Sequence, residues 1–207
     1  ILPFSHDEVV HGKCSLITRQ QGDIWRQFAG LRALAFYQIT HPGGKLNFMG
    51  NEIGQFIEWR YYEGIEYFLA ENYDNHRNQQ HYIAELNKFY NANPALWERA
   101  YTPDGFDWID ADNNEQCVIS YARHGDNKDD DLVVLINFEV NPYEEYRIGV
   151  PRPGIYEEAF NSDDEAYGGS GVTNKGAQFV SVDQPWNGQN QSIVMRVPPL
   201  GGTVLRY

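Results

Sequence analysis

Residues 1–13 are ILPFSHDEVVHGK, a short apolar run that ends in a cluster of polar side chains. A similar pattern recurs in KLNFMGNE at residues 45–52, where an apolar segment is again followed by polar residues. Between them, apolar residues recur at helical spacing over residues 23–40, and the HPGG sequence at 41–44 supplies a stop. Strand, helix and strand in this order predict a β/α unit with a parallel sheet.

The next fifty residues continue the same half of the chain. Residues 55–73 are rich in aromatic side chains and have no regular period. A second helix is predicted from Asp74, with Pro94 beyond its end. Its apolar face consists of Ile83, Leu86, Phe89 and Tyr90. The first hundred residues therefore predict strand, helix, strand, loop and helix, and two strands alone cannot close a sheet or a barrel.

The pattern changes after Pro103 to short strand candidates separated by Gly, Asn, Asp and Pro. This spacing predicts an antiparallel β-sandwich. The eight candidates are residues 106–109, 118–123, 132–138, 146–150, 155–161, 178–182, 192–197 and 203–207. The charge changes as well, because residues 1–103 carry 9 Lys+Arg against 11 Asp+Glu, whereas residues 104–207 carry 7 against 18. We expect two units, with the boundary near residues 95–105.

The composition argues against two classes of partner. The formal net charge is −13, and a field of that sign repels phosphate backbones and anionic lipid, so we expect neither nucleic acid nor a membrane. Aromatic residues make up 14% of the chain, and this excess favours carbohydrate because exposed rings stack on the apolar faces of sugars. Cys14 and Cys117 are far apart and outside any CxxC motif, which favours reduced thiols and a cytoplasmic location.

The segment SHDEVVH is superficially similar to the HExxH zinc motif, but its spacing differs. His6 and His11 are five residues apart, which places them roughly 140° apart around a helix and on opposite faces of a strand. We therefore expect no metal site in this segment, and no cofactor is expected.

Carboxylate chemistry is the second interpretation of the same segment. A retaining glycosidase needs two carboxyl groups about 5–5.5 Å apart. Asp7 and Glu8 are neighbours, and on a strand their side chains point to opposite faces, so they cannot form that pair together. One of them, with His6, could serve a larger site at the carboxyl end of a barrel strand. The alternative is a structural cluster that caps the strand and binds backbone amides.

The sequence LPFSHDEVVHGK at residues 2–13 resembles the fourth signature region of glycoside hydrolase family 13, in the form used by glucan branching enzymes. The likeness continues through GDIWRQFAGLRALAFYQITHPGGKLNFMGNEIGQ at 22–55 and EW at 58–59, and PPLGGTVL at 198–205 is similar to that family's last strands. The SHDEVVHGK motif favours a branching enzyme over an amylase or debranching relative.

The resemblance implies a fold and an activity. It implies the last quarter of a (β/α)8 barrel over residues 1–100, followed by a C-terminal antiparallel β-sandwich over residues 104–207. The implied reaction is cleavage of an α-1,4 linkage in an α-glucan and transfer of the chain, with retention, to a 6-hydroxyl. The product is an α-1,6 branch, as in glycogen biosynthesis.

The resemblance also implies roles for individual residues. His6 resembles the histidine that hydrogen-bonds the sugar at the cleavage subsite. Asp7 resembles the third essential carboxylate, which binds that sugar's 2- and 3-hydroxyls and so stabilises the oxocarbenium-like transition state. Glu8 and Glu52 are expected to have supporting roles. Trp59 is a candidate sugar platform, with core packing as the alternative.

The family's aspartate nucleophile and glutamate acid/base lie on earlier strands, and no matching motif occurs in these residues. We therefore expect a C-terminal fragment that is inactive alone and that self-associates through its incomplete barrel. The expected partners are α-glucans: glycogen, amylose and maltooligosaccharides. Two further hypotheses stand beside this one. One is a carbohydrate-binding β-sandwich that uses exposed aromatic residues such as Trp108, Tyr167 or Trp186, and the other is a structural domain without chemistry.

Overall fold

The computed structural model describes residues 3–207, which form three α-helices followed by eight β-strands. The helices are α1 (Ile24–Thr40), α2 (Phe68–Asn72) and α3 (Asp74–Ala92). The strands are β1 (Phe106–Asn113), β2 (Val118–Arg123), β3 (Leu132–Asn137), β4 (Tyr143–Val150), β5 (Ile155–Asn161), β6 (Gln178–Val180), β7 (Gln191–Val197) and β8 (Gly201–Arg206). We call residues 3–100 the helical half and residues 106–206 the β half.

The two strands predicted in the helical half are not formed. Residues 3–10 and 45–50 contribute a single parallel β-bridge, between Phe4 and Asn47. Phe4 N donates to Leu46 O at 3.0 Å, and Phe48 N donates to Phe4 O at 2.9 Å. A parallel pair without flanking strands is weakly stabilised, so the ladder ends after one bridge, and no barrel forms within residues 3–207. Residues 1 and 2 of the first predicted strand lie outside the described residues.

Helix α1 forms where its spacing predicts. Asp23 caps the first turn because its carboxylate accepts a hydrogen bond from Arg26 N at 2.9 Å. Phe28 and Leu31 are buried on the predicted apolar face. Ile24 was predicted on the same face but is exposed, because it lies in the first turn, beyond the packed part of the helix.

The second predicted helix also forms, and it is preceded by a short helix that the sequence did not indicate. Helix α3 begins at Asp74. The carboxylate of Asp74 lies in the first turn, where it stabilises the helix through the positive end of the helix dipole. The residues before it were predicted to be irregular, yet five of them form α2.

The antiparallel all-β architecture predicted for the second half is confirmed. Six strands form one sheet in the order β1-β2-β3-β8-β5-β6, and β4 pairs with β7 in a second sheet. In the centre of the large sheet, Val134 of β3 lies opposite Val204 of β8. The two sheets enclose an apolar core that consists of Ile109, Val118, Ala122, Val133, Leu135, Tyr146, Ile148, Val150, Tyr156, Ile193, Met195, Val197 and Leu205.

The opposite face of the large sheet packs on α1 and α3, so the two halves share a core. Phe36 of α1 lies so close to Gly202 of β8 that a Cβ atom at Gly202 would be 2.2 Å from the ring. The shared core consists of Ala35, Phe36, Ile39, Tyr82, Leu86, Ala95, Leu96, Tyr121, Leu132, Val134, Ile136, Phe160 and Val204. Burial of this face therefore fixes the helical half on the β half.

A buried arginine adds polar contacts to this junction. Arg123 of β2 is fully buried and donates to Gly105 O at 3.2 Å, to Thr40 O at 2.5 Å and to Leu96 O at 3.1 Å. Thr40 and Leu96 belong to the helical half and Arg123 to the β half, so one guanidinium connects the two halves. Burial lowers the pKa of Arg123 to about 10.

Candidate functional site

The predicted catalytic cluster lies directly after the parallel bridge. Residues His6–Glu8 form a single 3₁₀ turn, two positions beyond Phe4. The side chains of His6 and Asp7 are 55% and 69% exposed, and His6 Nε2 lies 3.2 Å from Asp7 Oδ1. The turn thus presents an adjacent imidazole and carboxylate to solvent, and both groups can bind sugar hydroxyls.

Glu8 faces a different neighbour. Its carboxylate forms an ion pair with Arg19, with Nη1 and Oε2 3.2 Å apart. Asp7 and Glu8 therefore contact different side chains, and they lie in a 3₁₀ turn and not in the strand that the sequence predicted.

Trp59 contacts the same cluster through its ring and its backbone. Its ring centroid lies 6.3 Å from that of His6 and 5.3 Å from that of Phe48, in edge-to-face geometry. Its backbone N donates to Val9 O at 2.8 Å. Trp59 is half-buried and packs against Phe48, and its role as a sugar platform stays a prediction.

Glu52 lies in the turn that follows the second segment of the bridge. This turn is a 3₁₀ helix, Asn51–Ile53, flanked by Gly50 and Gly54 with φ angles of 92° and 65°. The Glu52 carboxylate accepts hydrogen bonds from Gly50 N at 2.8 Å and from Tyr67 Oη at 2.9 Å. The second contact raises the pKa of Tyr67. Glu52 therefore stabilises its own loop.

Two residues that the sequence did not single out for a role also contact this region. Arg19 donates to the backbone and carboxylate of Glu8, and Glu58 accepts from backbone N–H groups of the segment after Glu8. A lone arginine in a polar loop gives no sequence signal, because its contacts depend on how the chain turns back. Glu58 directly precedes Trp59 in the EW pair, and this position next to a candidate sugar-binding residue was the one sign in the sequence that Glu58 lies near the site.

The described residues 3–207 contain no group of three or more His, Cys, Asp or Glu side chains that could hold a metal ion. Within the same range, none of the helices is sufficiently long and apolar to span a bilayer. A groove of about 460 Å³, lined by Val10, His11 and residues 59–62, lies beside the cluster. One exposed carboxylate, an imidazole and accessible aromatic rings can bind a sugar, but glycoside cleavage needs a second carboxylate.

Comparison with known proteins agrees with this architecture. The profile of the family described as "Alpha amylase, C-terminal all-beta domain" matches residues 108–207, which include most of the β half. Among solved structures, a pullulanase type I from Bacillus subtilis, complexed with maltose, matches with a TM-score of 0.63 at 13% identity, over 90% of this chain and 24% of that one. An α-amylase from H. orenii matches with a TM-score of 0.55 at 21% identity, over 99% of this chain and 38% of that one. These likenesses concern the fold.

Closer relatives match the whole chain. It is 46% identical over 206 residues to 1,4-alpha-glucan branching enzyme GlgB 2 of Clostridium perfringens, a match that covers 100% of this chain and 31% of the relative. It is 47% identical over 206 residues to 1,4-alpha-glucan branching enzyme GlgB of Bacillus cytotoxicus, covering 100% and 32%. The chain spans about a third of the length of these relatives, and the resemblance to branching enzymes that the sequence predicted is confirmed. The chain is therefore similar, along its whole length, to part of the 1,4-α-glucan branching enzymes, and its residues 108–207 match the all-β domain of the α-amylases.

Proposed function

We propose that residues 1–100 are the last quarter of a (β/α)8 barrel and that residues 104–207 are its C-terminal all-β domain. The parallel bridge between Phe4 and Asn47 supports this division, because α1 connects the two bridged segments and α3 follows the second. Parallel segments joined through a helix are the repeating unit of such a barrel. The polar turns at His6–Glu8 and Asn51–Ile53 then lie at the carboxyl ends of neighbouring barrel segments, where barrel enzymes carry their chemistry.

In this proposal, the chain supplies one of three catalytic carboxylates to an α-glucan branching enzyme. Asp7 binds the 2- and 3-hydroxyls of the sugar at the cleavage point, and His6 donates a hydrogen bond to the same sugar. As the anomeric carbon gains positive charge, the ring hydroxyls become stronger donors, so Asp7 binds the transition state more tightly than the ground state. Contacts of this kind, together with ring distortion, lower the barrier by several kcal/mol.

Glu8, Glu52 and Trp59 support this site in different ways. Glu8 accepts from Arg19 and thereby fixes the turn that carries Asp7. Glu52 orders the second loop through Gly50. Trp59 provides an aromatic surface beside His6 on which a glucose ring can stack.

The observation that carries the proposal is the solvent-facing His6–Asp7 pair beside Trp59, in a chain that is 46% identical to a named branching enzyme. The nucleophile and the acid/base come from residues upstream of this chain. We therefore expect the chain alone to be inactive on amylose and other α-glucans, and its reaction to need the missing part of the barrel.

A branching assay tests this proposal. The upstream portion of the C. perfringens relative is joined to these 207 residues, and the resulting chimera is incubated with amylose, debranched and analysed for released chains. We expect activity from the chimera and none from the 207-residue chain. Asp7→Asn should lower kcat by at least about 100-fold, since a loss of several kcal/mol corresponds to that factor or more. Asp112→Asn, at an exposed aspartate of the β half, should leave kcat unchanged.

Three outcomes would contradict the proposal: activity of the chain alone, an inactive but folded chimera, or full activity of Asp7→Asn. The first would mean that a complete pair of catalytic carboxylates lies within these residues.

We also propose that the isolated chain self-associates through the helical half. Large apolar side chains are exposed there, among them Leu46, Met49 and Phe68. An exposed apolar surface of this kind drives association. Sedimentation velocity should show species larger than the monomer at micromolar concentrations for the chain and less association for the chimera. A non-associating monomer of the isolated chain would contradict this proposal.

A glucan-binding role of the β half is the second candidate. Trp108 and Trp186 are each 44% exposed, which leaves part of each indole available for stacking. Tyr167 gives less support to this role, because it is more buried than the two tryptophans and its ring packs on Tyr82 and Phe160 at 5.3 and 5.8 Å. A saturable change in tryptophan fluorescence with maltooligosaccharide, abolished in the double variant Trp108→Ala/Trp186→Ala, would support it. No change would leave the β half with a structural role.

A further inference from the structure

The segment 9–14, directly after the proposed catalytic turn, has no regular secondary structure. Gly12 and Cys14 have positive φ angles of 83° and 65°. One internal hydrogen bond, from Lys13 N to Val10 O at 3.0 Å, closes a turn within the segment. Backbone N–H and C=O groups that are not paired in a helix or sheet need other partners. Two side chains from outside the segment supply them.

Arg19 binds the carbonyl groups of this region. Its Nε donates to Lys13 O at 2.8 Å, its Nη2 donates to Cys14 O at 3.4 Å and to Glu8 O, and its Nη1 donates to the Glu8 carboxylate at 3.2 Å. A guanidinium presents five N–H donors in fixed directions, so it can hold carbonyls that are well separated along the chain. A lysine ammonium offers its donors from a single atom and cannot replace this set.

Glu58 binds the N–H groups of the same segment. Its two carboxylate oxygens accept from Cys14 N at 2.8 Å and from Gly12 N at 3.0 Å. These two hydrogen bonds lower the pKa of Glu58, that from Cys14 more than that from Gly12, so Glu58 is a carboxylate at neutral pH. The adjacent Trp59 N donates to Val9 O at 2.8 Å. The segment after the catalytic turn is thereby attached to the loop that carries Trp59.

We propose that Arg19 and Glu58 are positioning residues that together hold the His6–Asp7 turn in its catalytic position. The inference rests on the proposed function of that turn. Arg19 holds the carbonyl one residue beyond Asp7, and Glu58 connects the segment to the aromatic surface beside His6. Neither side chain needs to touch the substrate. A misplacement of about 1 Å in a reacting group can cost on the order of 100-fold in rate, so loss of either contact set should reduce kcat.

The chimera described above provides the test for Arg19. We expect Arg19→Lys to lower kcat by about 10- to 100-fold. KM should change by less than about threefold, because the sugar contacts themselves remain. Arg26→Lys is the matched control, since Arg26 is a nearby exposed arginine whose ion pair is with Asp23, and it should leave kcat unchanged.

A chemical rescue separates positioning from general stability. In Arg19→Ala, millimolar guanidinium should restore part of kcat by occupying the vacated position. A variant that was merely less stable would not gain activity from added guanidinium, which favours unfolding. An Arg19→Ala variant that loses activity without rescue, and whose melting temperature falls in parallel, would overturn the positioning role.

Glu58→Gln tests the opposite side of the segment. A carboxamide has one acceptor oxygen, so one of the two N–H groups from Gly12 and Cys14 loses its partner. We expect kcat to fall by about 10-fold, with KM nearly unchanged. Glu63→Gln, at a glutamate paired with Arg60 in the following turn, is the matched control and should behave as the unmodified chimera.

The outcomes for the two proposals are distinguishable. If Asp7→Asn is inactive while Arg19→Lys and Glu58→Gln keep the kcat of the unmodified chimera, the proposed function stands and the positioning role is wrong. If Asp7→Asn is fully active, the proposed function itself is wrong. A fall in kcat in both positioning variants, with their controls unchanged, supports the inference.

Discussion

The β half and the helical half of this molecule obtain their order in different ways. In the β half, eight strands pair in two antiparallel sheets, and the core between the sheets consists of β-half residues alone within the described chain. In the helical half, the paired segments near the site share a single parallel bridge, and the main core is completed by the large sheet. The comparison indicates that backbone pairing stabilises one half, whereas the other depends on the surface that it packs against.

The two halves also differ in how the backbone is held around the proposed site. The β half satisfies much of its backbone through strand pairing. The segment around the proposed site is held by the side chains of Arg19 and Glu58, which can be exchanged one at a time. The proposed site therefore lies on loops that are held by side chains.

Phe36→Ala should cause the largest loss of stability at the contact between the two halves. Phe36 of α1 is fully buried against Gly202 of β8. A phenylalanine-to-alanine change in a core costs about 3–5 kcal/mol in the free energy of unfolding. Urea unfolding of the chimera, followed by far-UV circular dichroism and by tryptophan fluorescence, should show both signals shifting together. Phe138→Ala, at an exposed β-half residue, should change stability by less than about 0.5 kcal/mol.

If the circular dichroism and fluorescence signals of Phe36→Ala separated, with one lost at low urea while the other kept its midpoint, the protein would not unfold as one cooperative unit. The shared core would then contribute little cooperativity, and the domain boundary proposed near residue 100 would be a candidate folding boundary.

A smaller effect should appear as a pH dependence at the same junction. Burial, and then the charge of Arg123, lowers the pKa of Lys45 to about 7 from its ordinary value of 10.5. Between these two values the unfolded chain binds more protons than the folded chain, so stability rises with pH, and below about 7 this contribution is constant. Because Lys45 is partly hydrated, we expect a gain of about 1 kcal/mol between pH 7 and 8.5.

Urea unfolding of the chimera at several pH values measures this slope. Lys45→Met removes the titrating group while keeping an unbranched apolar side chain, so the rise over this range should be smaller in the variant. An equal rise in both proteins would assign the pH dependence to other groups.

The smallest predicted effect concerns the start of α1. Asp23→Ala removes the acceptor for Arg26 N and should cost about 1 kcal/mol, because the first turn loses its cap. Asp23→Asn keeps an acceptor oxygen and should cost only a few tenths of a kcal/mol. Thermal unfolding of both variants checks the order. Equal losses would mean that the charge of Asp23, and not its hydrogen bond, stabilises the helix.

The sequence predicted those elements whose stability is local. Helix α1 was located from its apolar spacing and from the HPGG stop after it, and the strands of the β half were located from their turn residues, to within a few positions. The two strands of the helical half could not be predicted correctly, because a strand exists only with its neighbours. The exposure of Ile24 has the same origin, since its burial depends on what packs against the first turn.

The site was predictable in part. His6, Asp7 and Trp59 were named from the SHDEVVHGK and EW motifs, and the described residues bring them together, while their catalytic roles stay predictions. Arg19 was not named, because its role depends on the path of the backbone between residues 8 and 14. Most of its contacts are to backbone carbonyl groups, which carry no signal in the sequence by which they could be recognised.

The carbonyl partners of Arg123 have a consequence for acid tolerance. Acid weakens many protein junctions because it protonates the carboxylates of their ion pairs. Arg123 instead connects the two halves through backbone oxygens of residues 40, 96 and 105, which do not titrate at any physiological pH. This contact between the halves should therefore persist in acid that already disrupts the carboxylate contacts on the protein surface.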